Sequence, residues 1–198
     1  MERRLILATR NDNKIREIKE ILGDIGWEIL SYYDFPDLPS FEEVGDTFEE
    51  NAIGKAEAVS SYCGFLALGE DSGLEVDALD GRPGVLSARF AGDDADDHRR
   101  NSKLLSMLKG IPREKRTARF RCVVAIVDPS GLLKTTEGIC EGLISEEPRG
   151  DEGFGYDPVF YIPHLKKTFA ELSPETKNRI SHRRRALGKA RNILIELG

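Results

Sequence analysis

Residues 4–14, RLILATRNDNK, indicate the fold class, because a short apolar run passes directly into a polar turn. Apolar residues then recur at Ile15, Ile18 and Ile21, the spacing of one face of a helix, and Gly23 follows as a helix stop. The stretch therefore predicts a buried strand followed by a helix, which is the repeating unit of an α/β protein.

The rest of the chain alternates strand and helix signals in its first half and has paired strands around a turn at Gly131 in its second half. This order predicts an α/β fold with a mixed sheet flanked by helices. The further predicted elements are strands at residues 27–33, 64–71, 117–128, 132–144 and 157–162, and helices after Thr47, at residues 96–109 and from Ser181.

Length, charge and cysteine usage restrict the class of protein. The 198 residues suit a single domain or two closely joined lobes. A formal net charge of -6 disfavours a protein devoted to nucleic-acid backbones, which needs a basic face. Cys63, Cys122 and Cys140 show no metal-binding spacing, and no apolar run approaches the length of a membrane span. We expect a reduced, cytoplasmic protein with no nucleic-acid or membrane partner.

Residues 9–14, TRNDNK, lie where the first strand runs into its helix. Free backbone N–H groups at a helix start bind anions, and Lys14 adds a full positive charge. The alternative is ordinary capping of the helix by Asn11 or Asp12 beside a solvated lysine.

Acidic and basic residues follow at two further predicted element boundaries. Asn51 and Lys55 lie one turn apart beside the apolar stripe of the helix after Thr47, where a lysine either snorkels or points into a cleft. Glu70 and Asp71 end an apolar strand, where carboxylates are placed for Mg²⁺ and a phosphate, and Glu43 could add an oxygen ligand. The alternative for the acidic pair is a polar turn.

Two segments of the second half complete the candidates. Residues 181–186, SHRRRA, place cations at a helix start near Lys177, and an anionic ligand would stabilise them there. The alternative is a solvated basic patch paired with acidic residues of the protein. Residues 152–160, EGFGYDPVF, indicate a tight aromatic turn. Residues 92–98, GDDADDH, lack the spacing of a calcium loop and predict a polar loop, and no P-loop or GxGxxG motif is present.

In their order along the chain, these segments resemble the inosine triphosphate pyrophosphatase family, the Ham1-like noncanonical purine NTP pyrophosphatases. The resemblance extends from Thr9 to Ala186. Two positions depart from the family pattern, since Arg10 stands where glycine is common and Glu70 where aspartate is frequent. The matching segments are ATRNDNKIREI, EEVGDTFEENAIGKA, EDSGLEVDAL, GRPGVLSARFAG, GFGYDPVF, KTFAEL and KNRISHRRRA.

The resemblance implies a long central mixed sheet flanked by helices, two lobes around an active-site cleft, and a homodimer. It implies Mg²⁺-dependent hydrolysis of ITP, dITP and XTP to the monophosphate and pyrophosphate. Asp71 is the implied catalytic residue, and Glu43 and Asp71 are the implied metal ligands. The implied substrate-binding residues are Thr9, Arg10, Asn11, Asp12, Asn13, Lys14, Asn51, Lys55, Ser72, Arg89, Phe154, Gly155, Tyr156, Asp157, Lys177, His182 and Arg183.

Hypoxanthine and xanthine present a 6-keto acceptor and an N1–H donor, which adenine reverses, so a matched site discriminates strongly. Phe154 would stack on the base, His182 and Arg183 could supply donors, and Asp157 or nearby backbone could supply the acceptor. Two alternatives stay open: a pyrophosphatase for modified pyrimidine nucleotides, and a non-catalytic nucleotide- or RNA-binding module.

Overall fold

The strands form one seven-stranded sheet in the order β2-β1-β3-β4-β5-β6-β7. The computed structural model describes residues 3–35, 37–38, 41 and 43–198. The elements are β1 Arg4–Leu7, α1 Asp12–Leu22, β2 Glu28–Ser31, α2 Phe48–Cys63, β3 Leu66–Val76, α3 Asp97–Met107, β4 Thr117–Val127, β5 Leu133–Ile144, β6 Phe160–Ile162, β7 Lys167–Thr168, α4 Pro174–Ile180 and α5 His182–Glu196.

The sheet is mixed, as predicted. β1 pairs in parallel with β2 on one side and with β3 on the other, and the helices α1 and α2 make the crossovers that parallel strands require. β5 pairs antiparallel with β6, and β6 with β7. The α/β class predicted from residues 4–14 is confirmed.

The chain divides into two compact units, each with its own apolar core. Unit 1 comprises the chain up to Asp71 together with Cys122–Gly138 and His182–Gly198. Unit 2 comprises Ser72–Arg121 and Ile139–Ser181. The core of unit 1 includes Leu5, Leu68 and Leu187, and the core of unit 2 includes Leu104, Phe160 and Phe169. The predicted single domain with lobes around a cleft stays a prediction.

Three predicted strands have different bounds in the structure. The strand predicted at residues 157–162 is shorter, because residues 157–159 form a turn and β6 begins at Phe160. The strand predicted at residues 64–71 does not end on its acidic residues, because β3 continues to Val76. The strand predicted at residues 27–33 stops at Ser31, whose backbone and hydroxyl both donate to the Asp34 carboxylate and start a 3₁₀ turn.

None of the helices in the described part of the chain combines the length and the apolar character of a membrane-spanning segment.

Candidate active site

Helix α2 lies directly against β3 at Gly69. A Cβ atom on this glycine would meet the Ala52 carbonyl oxygen at 2.1 Å, so a side chain there would force the helix away. Thr47 begins α2 by accepting from the Glu50 backbone N–H, as the sequence predicts. This close approach places the polar residues of α2 over the strand residue two positions after Gly69.

That strand residue is Asp71, which is 4% exposed and held by two side chains of α2. Its Oδ1 accepts from the Lys55 Nζ at 2.9 Å, and its Oδ2 accepts from the Asn51 Nδ2 at 3.2 Å. The Asn51 Oδ1 in turn accepts from the Gly45 backbone N–H at 2.8 Å, which fixes the orientation of the amide. Asn51 therefore positions the predicted catalytic carboxylate.

Lys55 joins two of the predicted ligands. Its ammonium forms ion pairs with Asp71 and with Glu43, and it donates to the Glu70 carbonyl oxygen at 3.1 Å. The lysine is buried, so it does not snorkel into solvent. The snorkelling alternative is therefore wrong, and the prediction that Lys55 points into a cleft stays a prediction.

Burial and charge oppose each other in this group. Burial raises the pKa of Asp71 above its ordinary value, although the nearby Lys55 and Lys14 lower it. Burial alone would lower the pKa of Lys55, but Asp71 and Glu43 outweigh that effect and raise it. A carboxylate with an elevated proton affinity beside a retained positive charge can accept a proton from a water molecule near an anionic substrate.

Glu70 lies on the opposite face of β3, because successive strand residues alternate. The Arg183 guanidinium binds it with two hydrogen bonds, Nε to Oε2 at 3.1 Å and Nη2 to Oε1 at 2.9 Å. A third bond joins Arg183 Nη1 to Glu17 of α1 at 2.5 Å, and Lys14 Nζ lies 3.5 Å from Glu70. The two acidic side chains thus have different hydrogen-bond partners, and the polar turn predicted as their alternative is wrong.

Arg183 is 2% exposed, so its guanidinium is enclosed between two carboxylates. A contact of this residue with a nucleotide stays a prediction. Sequence reasoning missed Glu17, although it stands four positions before Ile21 on the apolar face of α1, where a lone acid indicates a buried partner. The contact of Cys122 with this group was not predicted either; its Sγ lies 3.6 Å from Glu70, and burial raises the pKa of its thiol.

Residues 9–14 begin α1 with side-chain capping. Asn11 is the N-cap and accepts from the Lys14 backbone N–H at 3.1 Å, while Thr9 accepts from the Asn11 backbone N–H at 3.2 Å. The Asn13 side chain accepts from Arg16 at 3.1 Å. Asp12 lies in the first turn of the helix. The capping alternative is therefore present, and anion binding there stays a prediction.

Arg10, the departure from the family pattern, extends toward the segment after β2. Its guanidinium carbon lies 4.0 Å from the centre of the Tyr32 ring, and its Nη2 bonds the Tyr32 hydroxyl and, at 3.4 Å, the Leu38 carbonyl. The structure thus assigns Arg10 a contact within unit 1 that the sequence did not predict.

His182 and Arg183 begin α5, which packs on β5 where Gly138 removes the side chain. A Cβ atom at Gly138 would lie 2.1 Å from the His182 carbonyl oxygen. Both residues are buried, whereas Arg184 and Arg185 are exposed. The segment SHRRRA is therefore only in part a solvated basic patch.

A second cluster of predicted residues belongs to unit 2. The Asp157 Oδ2 accepts from the Phe154 backbone N–H at 2.9 Å and from the Lys177 Nζ at 2.7 Å. The Lys177 ammonium also lies 4.8 Å from the centre of the half-buried Phe154 ring. Lys177 thus joins the carboxylate and the aromatic face, and the predicted role of Asp157 as an acceptor for a base stays a prediction.

The glycines around Phe154 are required by geometry. Gly153 has a φ of +78°, and a Cβ atom there would lie 2.1 Å from the Asp157 Oδ2. Gly155 has a φ of +65°. Tyr156 turns into the core and donates its hydroxyl to the Ser87 carbonyl at 2.9 Å, so a substrate contact by Tyr156 stays a prediction.

The two remaining predicted residues are also in unit 2. Ser72 follows Asp71 in β3, and Arg89 is exposed at the end of the 3₁₀ segment Gly84–Arg89. Their contact with a substrate stays a prediction.

The donor set at Lys55 fits a hard divalent cation. Glu43 and Asp71 both reach one ammonium group, so their carboxylates converge on a single positive charge. Mg²⁺ in phosphate-handling sites is held by one or two carboxylates and completed by substrate oxygens and water. Among the described residues, no group of three or more His, Cys, Asp and Glu is arranged to hold a metal by itself.

Comparison with known proteins places these residues in a family. The model of the Ham1 family matches residues 5–193. A dITP/XTP pyrophosphatase of Desulforamulus reducens is 55% identical over 194 residues, which cover 98% of this chain and 96% of that protein. A dITP/XTP pyrophosphatase of Bacillus subtilis is 51% identical over 189 residues, covering 96% of each.

Solved structures agree. A HAM1 protein from Coxiella burnetii superposes with a TM-score of 0.88 at 42% identity, covering 98% of this chain and 99% of that one. The Staphylococcus aureus Ham1 protein gives a TM-score of 0.89 at 38% identity, covering 99% and 100%. The chain belongs to the Ham1 family.

Proposed function

We propose that the chain hydrolyses ITP, dITP and XTP to the nucleoside monophosphate and pyrophosphate. The observation that carries this proposal is the buried Asp71 carboxylate, oriented by Asn51 and Lys55, in a chain that is 55% identical to a dITP/XTP pyrophosphatase. A carboxylate whose two oxygens are each held by a neighbouring side chain is oriented as a proton acceptor has to be, which favours an enzyme over a pure binding module.

In the proposed reaction, the oxygen of a water molecule bonds to the α-phosphorus while the bond from that phosphorus to the α,β-bridging oxygen breaks. Pyrophosphate leaves with the bridging oxygen, and the proton of the attacking water passes to the Asp71 carboxylate. Lys55 and Lys14 lie near this carboxylate and compensate part of the triphosphate charge, so that an oxygen nucleophile can approach. General-base assistance of this kind contributes about 10²–10⁴-fold in rate.

We propose further that Glu43 and Asp71 hold Mg²⁺. When bound, the ion would supply positive charge to the phosphate oxygens and polarise them. Asn51 would orient the Asp71 carboxylate for this ligand role, as it does in the structure.

Phe154, Asp157 and Lys177 of unit 2 have the chemistry to bind the purine base. An aromatic face contributes about 1–3 kcal/mol per stacked base. Lys177, bound to Asp157 and lying near the Phe154 ring, would hold that ring in place and add a donor for a keto oxygen. A homodimer, which the family resemblance implies, and a cytoplasmic location, which the cysteine usage favours, stay predictions.

The test is a substrate panel of ITP, dITP, XTP, ATP, GTP and dUTP, assayed for pyrophosphate with Mg²⁺ and with EDTA. We expect Mg²⁺-dependent pyrophosphate release from the first three, with kcat/KM about 10²–10⁴-fold above that for ATP. Equal use of ATP, or orthophosphate as the product, would refute the proposal. Preferred use of dUTP would favour a pyrimidine-directed enzyme instead.

Glu43→Gln tests the metal proposal. Losing one anionic ligand should raise the Mg²⁺ concentration at half-maximal activity by about tenfold, which corresponds to ~1.4 kcal/mol of binding. Titrating activity against Mg²⁺ measures this. Glu57→Gln, on the exposed side of α2, is the matched control and should leave the titration unchanged. The same Mg²⁺ dependence in Glu43→Gln and wild type would contradict a ligand role.

A further inference from the structure

Helix α3 holds the residue after Phe154 by both of its backbone polar groups. The Asp97 Oδ2 accepts from the Gly155 N–H at 2.7 Å, and the Asn101 Nδ2 donates to the Gly155 carbonyl at 2.9 Å. Asp97 and Asn101 are one turn apart, so they project from the same face of α3. We refer to these two contacts as the Gly155 clamp.

The clamp is anchored to the core of unit 2. Leu104 and Leu108, which continue the same face beyond Asn101, are fully buried. Asp96 caps the start of the helix by accepting from the Arg99 N–H at 2.7 Å. A capped helix seated in the core presents its first two turns to Gly155 with little freedom to move.

Other contacts hold both side chains of the clamp. The Oδ1 of Asp97 forms an ion pair with Arg100, whose Nη1 donates to the Ala88 carbonyl at 2.8 Å. Asn101 is buried, and its Oδ1 has no hydrogen-bond partner among the described residues. A buried unsatisfied acceptor costs about 1–3 kcal/mol of stability. An apolar residue at position 101 would avoid this cost, so the asparagine is explained by the hydrogen bond that its amide donates to Gly155.

The consequence falls on Phe154. The peptide group before this residue donates to Asp157, and the peptide group after it donates to Asp97. Two carboxylates therefore hold the backbone on both sides of one half-buried ring, while Lys177 lies near the ring itself. Fixing both flanking peptides fixes the direction in which the ring leaves the chain.

We propose that Asp97 and Asn101 are positioning residues for base recognition, acting through Phe154. This inference rests on the proposed function, in which Phe154 stacks on the purine. Without the clamp the ring would be free to adopt other orientations, and ordering it again would weaken nucleotide binding. The step that breaks the phosphate bridge does not involve the clamp.

The experiment measures kcat and KM for dITP in Asp97→Ala and Asn101→Ala. We expect KM to rise about tenfold, equivalent to ~1.4 kcal/mol, with kcat within about twofold of wild type. Asp97→Asn keeps a side-chain oxygen that can accept from Gly155, so it should recover most of the loss. Ser102→Ala, at an exposed position of α3, is the control and should behave as wild type.

Two further readouts separate positioning from a general disturbance. The inhibition constant of inorganic triphosphate, which has no base, should be unchanged in the clamp variants. In a Phe154→Ala background, Asp97→Ala should add no further rise in KM, because the residue acts through the ring. Thermal unfolding shows whether each variant folds. If Asp97→Ala does not fold, the test rests on Asn101→Ala and on the comparison of Asp97→Asn with wild type.

The outcomes distinguish the two proposals. If wild type releases no pyrophosphate from dITP, the proposed function fails before the clamp is tested. If wild type is active, an unchanged KM in both alanine variants overturns the clamp alone. An equal weakening of dITP and inorganic triphosphate, or additive effects with Phe154→Ala, also overturns it.

Discussion

Replacing Asp71 with asparagine should lower kcat for dITP by about 10²–10⁴-fold while the protein still folds. The amide has the same shape as the carboxylate but cannot accept the proton of the attacking water. It also presents an N–H₂ group toward the donors of Asn51 or Lys55, which the carboxylate satisfies at 3.2 and 2.9 Å. Steady-state pyrophosphate release measures the loss, and thermal unfolding checks the fold.

Asp93→Asn is the matched control, because it makes the same chemical change in an exposed loop. It should retain wild-type kcat. Turnover of Asp71→Asn close to that of wild type, with the control also active, would exclude a proton-accepting role for Asp71.

Replacing Arg183 with methionine should produce the largest loss of stability that the structure indicates. The guanidinium binds Glu70 with two hydrogen bonds and Glu17 with a third, and all three side chains are buried. Removing one partner from such a group leaves uncompensated buried charge, which costs about 3–5 kcal/mol. The free energy of unfolding in urea, measured without nucleotide, tests this.

Two comparisons give the Arg183 prediction its control. Arg185→Met, at an exposed position of the same helix, should change the free energy of unfolding by less than about 1 kcal/mol. Adding Glu17→Gln and Glu70→Gln to Arg183→Met should restore part of the lost free energy of unfolding, because these changes remove the two buried negative charges that Arg183 had compensated. If Arg183→Met unfolds like wild type, the guanidinium does not stabilise the fold and its role lies in ligand contact.

The fold could be predicted from the sequence wherever a local pattern sets the structure. The helix starting at Thr47 and the paired strands around Gly131 follow from capping and turn residues, and both are present. The end of the strand after residue 64 could not be predicted. Two adjacent acids ordinarily stop a buried strand, but in β3 each acid finds its own cationic partner on opposite faces of the sheet.

The members of the candidate site could be named from sequence, but their contacts could not. Asp71 and Lys55 were both named as site residues, but the ion pair between them was not predicted. For Arg183 the sequence left open a ligand or acids of the protein as partners, and the structure shows the acids Glu17 and Glu70. Such pairs are separated by more than a hundred residues in the chain, so no local periodicity reports them.

By itself, the sequence determined the class of fold, the order of its elements and the residue types that can handle a triphosphate. These properties depend on short-range patterns of apolar spacing, capping and charge. Only the tertiary structure decided which cation faces which acid, because β3 sends Glu70 and Asp71 to opposite sides of the sheet. The Gly155 clamp depends on tertiary structure for another reason, because the helix and the turn that form it are remote in sequence and meet only when the core of unit 2 packs.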